Sequence, residues 1–313
     1  GALGALAFAV FLSLALGSYL LWRAVSPRSP VGRPKWGVGR LLRFSLPMYL
    51  AGFSFLLLTR TDVMMLGYFT SSSDVGAYRA AVTLGRLVVF GLGAINVAFA
   101  PMIASLYHQA AIKQLAQLYK TVARWGLIVS LAMWLPFALY PKQTLGIYGP
   151  EFVKAAGALA ALASFQLVNA GVGSAGAMLQ MTGHQFLSLF NSVSLALLNI
   201  GLNLWLIPKW GILGAAVATG ISLAGINLLA LLEVWLILKL HPFSMDYARL
   251  IWLVGMALLV HLALSWAGIA WQFRLPAVLT SFLLGYLVLG MNEVDRAVCR
   301  AGWEKLCGVT RWR

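Results

Sequence analysis

Acidic residues are scarce in this sequence, and so is charge of either sign. Its 313 residues include 8 Asp and Glu against 23 Lys and Arg, and charged residues amount to 10% of the chain while hydrophobic residues amount to 61%. A water-soluble fold of this size needs a polar shell that such a composition does not supply. The composition therefore excludes an ordinary soluble domain and indicates a membrane protein.

Cysteine pairs and catalytic motifs are also lacking. The two cysteines, Cys299 and Cys307, fit no usual zinc spacing, and no histidine lies near them in the sequence. There is no Walker loop, H-E-x-x-H or G-x-S-x-G motif. The segment GVGSAG at 171–176 matches a dinucleotide-binding pattern in its letters only, because it lies inside an apolar run with no strand before it. We therefore expect no catalytic residue, no metal and no cofactor, and a protein that is not an enzyme.

Long apolar runs are what the sequence has in abundance. A helix rises about 1.5 Å per residue, so roughly twenty apolar residues cross the hydrocarbon layer of a bilayer. The short connections between runs favour neighbouring antiparallel helices. The sequence thus predicts an all-α polytopic membrane protein with about nine transmembrane helices, at 2–22, 44–68, 77–105, 121–140, 155–180, 185–206, 211–238, 249–268 and 275–291.

The positive charge predicts an orientation rather than a nucleic-acid partner. With the first run entering the cytoplasm, sixteen Lys and Arg residues fall on the cytoplasmic side and five on the other, while Arg60 and Arg86 lie inside runs. This asymmetry follows the positive-inside rule. The net charge of +15 forms no patch with interleaved aromatic residues, so we expect no nucleic-acid binding. The same orientation puts the C-terminus in the cytoplasm.

Polar segments between the runs predict the domain organisation. Segment 23–43 is rich in proline, glycine and cations and is expected to be an extended cytoplasmic linker between two helical bundles. Segment 106–120 has the spacing of a short amphipathic helix on the inner membrane surface. Gly1 already lies in an apolar run that would begin outside the membrane, so we expect a longer protein with an odd number of preceding spans.

Charged residues inside or beside the second and third runs are the first candidate site. Arg60 and Asp62 lie in one run, Arg79 and Arg86 in the next, and each buried charge is costly unless it is paired or faces water. The hairpin formed by these runs brings Asp62 within reach of Arg86. Two interpretations stay open: a cationic cluster that lines a water-filled cavity and binds an anionic group, or an internal Arg–Asp bridge that only holds the hairpin together.

Amide side chains inside the later runs form a second set of candidates. Gln166 and Asn169 share one helix face, as do Asn199 and Asn203, and sugar hydroxyls are bound by such donors and acceptors. The alternative is hydrogen bonding between helices, which is common in membrane bundles. Glu233, near the inner end of its run, is expected to pair with Lys239 or reach the membrane surface.

Five segments of the sequence together resemble a known family. They are TRTDVMMLGYFTSSSDVGAYRAA (59–81), APMIASLY (100–107), LGIYGPEFVKAAGALAAL (145–162), AMLQMTGH (177–184) and LNIGLNLWLIPKWGILGAAVATGIS (198–222). Their order and spacing resemble the O-antigen and polysaccharide flippases of the multidrug/oligosaccharidyl-lipid/polysaccharide exporter superfamily. The resemblance extends over about 180 residues, although no single motif is diagnostic.

The resemblance implies a fold of two six-helix lobes around a central cavity, followed by two additional helices. On that basis 1–22 is the last helix of a truncated N-terminal lobe, 23–43 the interlobe linker and 44–238 the C-terminal lobe. Segment 239–291 then holds the two additional transmembrane helices, and 292–313 is a basic cytoplasmic tail.

The resemblance also implies a function. We expect a flippase in a bacterial or archaeal cytoplasmic membrane that moves an undecaprenyl-linked oligosaccharide by alternating access, with Arg60 and Arg86 meeting the pyrophosphate or acidic sugars. Expected partners are the lipid-linked oligosaccharide, membrane lipids and the polysaccharide polymerase machinery. The alternatives are a drug/cation antiporter of the same superfamily and a membrane-embedded glycan polymerase or ligase.

Overall fold

The computed structural model describes residues 2–24, 38–292 and 295–296, and within them every regular element is helical. The chain divides into two compact units, Gly1–Arg43 and Phe44–Arg313. The first contains the helix Ala2–Ala24 and the beginning of the next helix. The second contains the remaining elements and the candidate site.

Eleven α-helices follow one another along the chain, with a short 3₁₀ segment at Pro150–Ala155 and a π-helical turn at Tyr286–Gly290 within the described ranges. The helices are α1 (Ala2–Ala24), α2 (Val38–Phe69), α3 (Ser72–Leu87), α4 (Phe90–His108), α5 (Ile112–Leu139), α6 (Pro141–Gly146), α7 (Ala156–Val172), α8 (Ala175–Met181), α9 (Gln185–Leu238), α10 (Asp246–Trp266) and α11 (Trp271–Gly285).

The all-α membrane fold predicted from the apolar runs is confirmed. Seven helices in the described part of the chain are long and apolar enough to cross a membrane: Ser45–Phe69, Phe90–His108, Ile112–Leu139, Pro150–Val172, Gln185–Leu238, Asp246–Trp266 and Trp271–Gly290. The predicted number of nine is not confirmed. The first predicted run corresponds to α1, in which Phe11–Leu20 is an apolar helix below the spanning length.

The longest helix, α9, is a hairpin of two arms. Its 54 residues are interrupted at Gly211, whose backbone (φ 52°, ψ −126°) lies outside the helical region and suits glycine. Hydrogen bonds cross between the arms from Asn199 to Thr219 (3.5 Å) and from Asn191 to Glu233 (2.6 Å). The chain therefore reverses direction here, as the two separate runs 185–206 and 211–238 predict.

Two other predicted runs are broken in the structure. The run 77–105 is interrupted at Val88 and Val89, between α3 and α4. The run 155–180 is interrupted at Gly173, between α7 and α8, where φ is +69° and a Cβ would approach the Ala123 Cβ to 2.5 Å. Hydropathy did not reveal these breaks, because apolar residues continue through both.

The predicted surface helix at 106–120 is wrong. Helix α4 runs on to His108, the chain turns at 109–111, and α5 begins at Ile112 and continues without interruption to Leu139. Leu115 and Tyr119 are buried, and the Tyr119 hydroxyl donates to the Val172 carbonyl (3.0 Å). Residues 112–120 are thus the start of a long helix, buried on the face that carries Leu115 and Tyr119.

The predicted linker and tail fall mostly outside the described residues. Of the linker 23–43, residues 23–24 end α1 and residues 38–43 begin α2, so neither end is extended as expected, and 25–37 lie outside the description. Of the tail 292–313, only 292, 295 and 296 are described. The two cysteines lie outside the description as well.

Helices α5 and α7 lie at the centre of the second unit. Helix α7 packs against α3, α5 and α9, and its small residues Ala158 and Ala163 are buried. Such residues allow close helix approach in a membrane. On its other side α5 packs against α10 and α11 through a cluster around Leu135, Leu253 and Phe282. The packing between α3, α7 and α9 also forms one wall of the cleft described next.

Candidate functional site

A cleft of about 530 Å³ opens between α2, α3, α4, α7 and α9. Apolar side chains make up most of its wall. Its polar and charged lining residues are Thr59, Asp62, Arg86, Gln166, Asn169 and Thr219. Four of the six residues proposed from the sequence, Asp62, Arg86, Gln166 and Asn169, are therefore brought together.

Asp62 lies at the base of the cleft and is 1% exposed. Its Oδ2 accepts hydrogen bonds from the Tyr78 hydroxyl (2.6 Å) and the Thr219 hydroxyl (3.0 Å), and its Oδ1 accepts one from the Val63 N–H (2.7 Å). A buried carboxylate is tolerated when its oxygens have such donors. Asp62 is thus held by uncharged donors from α2, α3 and α9.

Further polar groups on α9 extend from Asp62 through the interior of the hairpin. Asn199 donates to the Thr219 hydroxyl (3.5 Å), and Asn203 donates to the Asn199 side-chain oxygen (2.9 Å). Asn199 and Asn203 are fully buried, so the shared helix face predicted for them is also a shared network. For this pair, hydrogen bonding between helices is the interpretation that the structure supports.

Arg86 is the charged side chain that the cleft exposes. Its Nη2 donates to the Thr59 carbonyl (3.4 Å), and the side chain is otherwise open to the cleft. No ion pair joins it to Asp62 among the residues that the structure describes. The two side chains therefore form no direct ion pair here, and the guanidinium is accessible to an anionic group.

Gln166 and Asn169 lie on the α7 wall of the same cleft. The Asn169 side-chain nitrogen donates to the Gln166 side-chain oxygen (3.2 Å), as their spacing on one helix face predicts. Because an amide group has two donors and one acceptor oxygen, this contact leaves further donors and acceptors on both residues. The α7 wall can therefore hydrogen-bond a polar ligand.

Arg60 and Arg79 are not among the residues that line the cleft. Both side chains are exposed, on the outward faces of α2 and α3. The expected cluster of several arginines is thus reduced to Arg86 within this cleft. The contact of Arg86 with the Thr59 carbonyl agrees with the hairpin estimate that residues 60 and 86 lie at one level, but that estimate did not fix the face of the helix.

Helix α3 places Tyr78 beside Asp62 and Arg86 in the wall of the cleft, and a capping box anchors the first turn of this helix. The Ser71 hydroxyl accepts from the Asp74 N–H, and the Asp74 carboxylate accepts from the Ser71 N–H. Lys154, in the 3₁₀ segment, contacts Asp74 (2.6 Å) and donates to Ser73 (2.8 Å). The hydrogen bond from Lys154 lowers the pKa of Asp74, so this contact persists at neutral pH.

Tyr78 and Thr219 are functional candidates that sequence reasoning missed. A carboxylate in an apolar run needs hydrogen-bond donors, so Asp62 itself indicates that donors lie nearby. Hydroxyl side chains are too common for one sequence to show which of them are these donors. Glu233 also has a different partner from the one predicted. It accepts a hydrogen bond from Asn191, and no described ion pair joins it to Lys239.

The helices and the cleft define a class: a polytopic α-helical membrane protein whose helical bundle holds a largely apolar cleft with one exposed arginine and two amides among its described lining residues. Residues 1–107 match the family described as polysaccharide biosynthesis protein. This match over the first part of the chain supports the resemblance to polysaccharide flippases found in the sequence.

Two archaeal relatives are similar to the chain. The "probable low-salt glycan biosynthesis flippase Agl15" of Haloferax volcanii is 26% identical over 164 residues, which are 52% of this chain and 35% of that protein. The "uncharacterized membrane protein MJ1068" of Methanocaldococcus jannaschii is 30% identical over 225 residues, 69% of this chain and 43% of that protein. The alignments thus span less than half the length of either relative. No solved structure matches the chain.

Proposed function

We propose that this chain is part of a flippase that moves a lipid-linked oligosaccharide, such as an undecaprenyl-linked glycan, across the cytoplasmic membrane of a bacterium or archaeon. The relative named as a glycan biosynthesis flippase and the polysaccharide family support this role. In this proposal the polar head of the substrate enters the cleft while its lipid tail stays in the bilayer, and residues 44–238 act as one lobe that rocks against another. The C-terminus lies in the cytoplasm, and the flipped glycan passes to the polymerase machinery on the far side.

The charge balance of the cleft is the observation that carries this proposal. The carboxylate of Asp62 is buried and engaged by three donors, whereas Arg86 presents its guanidinium to the open cleft. Arginine suits bidentate binding of phosphate oxygens, and the amides of Gln166 and Asn169 suit sugar hydroxyls. The cleft therefore favours an anionic, hydroxyl-rich ligand.

The same charge balance disfavours an antiporter of cationic drugs. Such a substrate requires an accessible carboxylate, and Asp62, the carboxylate among the described lining residues, is buried. A glycan polymerase or ligase requires catalytic groups facing a water-filled site, and among its described residues the cleft offers Arg86 and amides but no accessible carboxylate or histidine. We therefore propose transport rather than enzymatic activity.

The test is a translocation assay with the full-length gene product reconstituted in vesicles. A fluorescent undecaprenyl-pyrophosphate oligosaccharide is followed between leaflets for the unaltered protein, Arg86→Gln and Arg60→Gln. We expect Arg86→Gln to reduce the rate roughly tenfold or more, since a charge-assisted contact contributes about 1.5–3 kcal/mol. Arg60→Gln serves as the matched control, because it removes the same charge from the same depth outside the cleft.

Two results would contradict the proposal. Equal losses in both variants would mean that membrane charge, not the cleft, determines the rate. Absence of translocation by the unaltered protein with several lipid-linked glycans, alongside transport of a cationic dye, would favour the antiporter. Helical content and melting temperature, measured for each variant, separate loss of function from loss of fold.

A further inference from the structure

A second cleft, of about 650 Å³, lies apart from the one described above. It opens between the end of α4, the first turns of α5 and the segments that flank α10 and follow α11. Its wall contains Met102, Leu106, Gln114, Gln117, Leu118, Lys120, Thr121, Arg124, Ser244, Asp246 and Asn292. We call it the α4–α5 cleft. Three of its polar residues on α5, Gln114, Gln117 and Lys120, belong to the segment 106–120, whose helical spacing suggests an amphipathic surface helix.

Two charged residues in the wall of the α4–α5 cleft, Arg124 and Asp246, belong to a set of opposite charges. Arg124 is 2% exposed and donates through Nη1 and Nη2 to the two carboxylate oxygens of Asp295 (2.8 and 2.6 Å). Asp246 lies 3.6 Å from Arg124 and 3.3 Å from Arg249. Among the described residues, two guanidinium groups thus face two carboxylates, and these charges offset one another.

Lys120 supplies the charge that remains. It lines the cleft one helical turn before Arg124, is partly buried, and has no ion pair among the residues of the described chain. Gln114 and Gln117 are exposed on the same face of α5, and Thr121 lies beside Lys120. The cleft therefore combines one uncompensated cation with uncharged donors, which suits a phosphate ester that carries hydroxyl groups.

The other wall of the α4–α5 cleft is apolar. Met102 and Leu106 on α4 and Leu118 on α5 line it, and 46% of the Met102 surface is exposed. By the charge asymmetry of the sequence, this end of the helices lies at the cytoplasmic surface, where anionic lipids attract cations. A ligand whose phosphate lies beside an acyl chain contacts both walls, whereas a soluble phosphate contacts only one.

We propose that the α4–α5 cleft binds the headgroup of an anionic glycerophospholipid of the cytoplasmic leaflet, with Lys120 at the phosphate and Gln117 and Thr121 at the glycerol oxygens. Basic pockets between membrane helices on this side commonly hold such headgroups. The site is independent of the transport cleft. The lipid would attach the start of α5, and with it the Arg124–Asp295 contact, to the membrane surface.

The test uses native mass spectrometry of the full-length gene product in detergent, titrated with short-chain phosphatidylglycerol. We expect saturable binding that weakens about fivefold in Lys120→Gln, as for one cation near a membrane surface, and that is retained in Lys120→Arg. Lys113→Gln is the matched control, because Lys113 is exposed on the same helix but does not line the cleft. Gln117→Leu, which keeps every charge, is expected to weaken binding as well.

Three outcomes would overturn the proposal. Equal weakening in Lys113→Gln and Lys120→Gln would indicate diffuse surface charge. Equal binding of phosphatidylcholine with the same chains would show that the headgroup charge is not recognised. Competition by glycerol phosphate at the same concentration as the lipid would identify a site for soluble phosphate esters. If Lys120→Gln lowers the melting temperature, the Gln117→Leu variant is the test instead, and unchanged lipid binding by Gln117→Leu would then overturn the proposal.

Discussion

Asp62 is the residue on which the transport cleft depends, because its burial imposes demands on its neighbours. A carboxylate in a membrane interior is costly unless its oxygens are satisfied. Tyr78 on α3 and Thr219 on α9 satisfy the same oxygen, so one side chain joins three helices. The residue identified from the sequence by its charge is thus also a structural link between the walls of the cleft.

Removing one of these donors tests that role. In Tyr78→Phe the Asp62 carboxylate keeps Thr219 and Val63 but loses its shortest hydrogen bond. We expect destabilisation by roughly 1–3 kcal/mol, the cost of leaving a buried acceptor short of a partner. The free energy of unfolding of the detergent-solubilised protein, compared between Tyr78→Phe and the unaltered protein, measures this loss. Tyr68→Phe, which removes the same hydroxyl from a side chain that is 85% exposed, should have little effect, and an equal loss would contradict this account.

At the scale of the elements, close backbone approaches determine how the helices run. The α9 hairpin brings Gly214 against the preceding arm, where a Cβ would lie 2.2 Å from the Leu206 carbonyl oxygen. The arms then meet through Asn199 and Thr219. The position of Thr219 beside Asp62 therefore depends on a turn that accepts no side chain at residue 214.

Two glycines of the same hairpin provide a matched comparison. Gly214→Ala places its methyl group against backbone that cannot move aside, so we expect destabilisation of about 1–3 kcal/mol. Gly201→Ala, in the first arm, meets nothing within 4 Å and should be neutral or stabilising by about 0.4–1 kcal/mol. Melting temperatures of the two variants measure the difference. Similar melting temperatures for the two variants would mean that the two arms of the α9 hairpin do not approach each other as closely at Gly214 as described.

Within the second unit as a whole, the Arg124–Asp295 contact joins distant parts of the chain. Asp295 follows α11 and accepts hydrogen bonds from Arg124, from the Trp125 indole (2.7 Å) and from Tyr286 (3.0 Å). Burial alone raises the pKa of Asp295, but the hydrogen bonds from Trp125 and the Asn292 N–H and the charge of Arg124 outweigh it and hold the pKa below its usual value. The contact therefore fastens α11 and the segment after it to α5.

The lowered pKa of Asp295 predicts how the stability of the protein depends on pH. Because the pKa of Asp295 is lower in the folded protein, its contribution to stability is present above the unfolded pKa of about 3.9 and is lost as the pH falls through the folded value. Asp295→Asn should destabilise the protein by roughly 1–3 kcal/mol at pH 7, since the buried Arg124 loses its two charge-assisted hydrogen bonds and keeps only Asp246, at 3.6 Å. Melting curves of both proteins between pH 7 and pH 3 measure the difference.

The difference in melting temperature should stay constant down to about pH 4.5 and narrow below pH 4. A melting-temperature difference that narrows between pH 7 and pH 5 would contradict a lowered pKa of Asp295. Asp74→Asn is a useful comparison, because the pKa of Asp74 is also lowered but its ion pair with Lys154 is largely exposed. An exposed pair contributes little, so this variant should show a much smaller gap at every pH.

The sequence alone determined the membrane-spanning, all-helical class, because the length of an apolar run reflects the thickness of the bilayer rather than any tertiary contact. It also identified Asp62, Arg86, Gln166 and Asn169, since polar residues are conspicuous where every neighbour is apolar. It could not separate Arg86 from Arg60 and Arg79, because which face of a helix is inward depends on what packs against it.

The tertiary structure decided the remaining features. The breaks at Val88 and Gly173 lie within continuous apolar sequence, where hydropathy gives no signal. Tyr78 and Thr219 are 141 residues apart and meet at Asp62 only through packing of α3 and the α9 hairpin against α2. Arg124 is one of the sixteen cations that the positive-inside rule assigns to the cytoplasmic side, yet it is buried against Asp295, 171 residues further along the chain. A pairing over such a distance is set by the fold, because local sequence carries no information about which distant carboxylate a buried cation will meet.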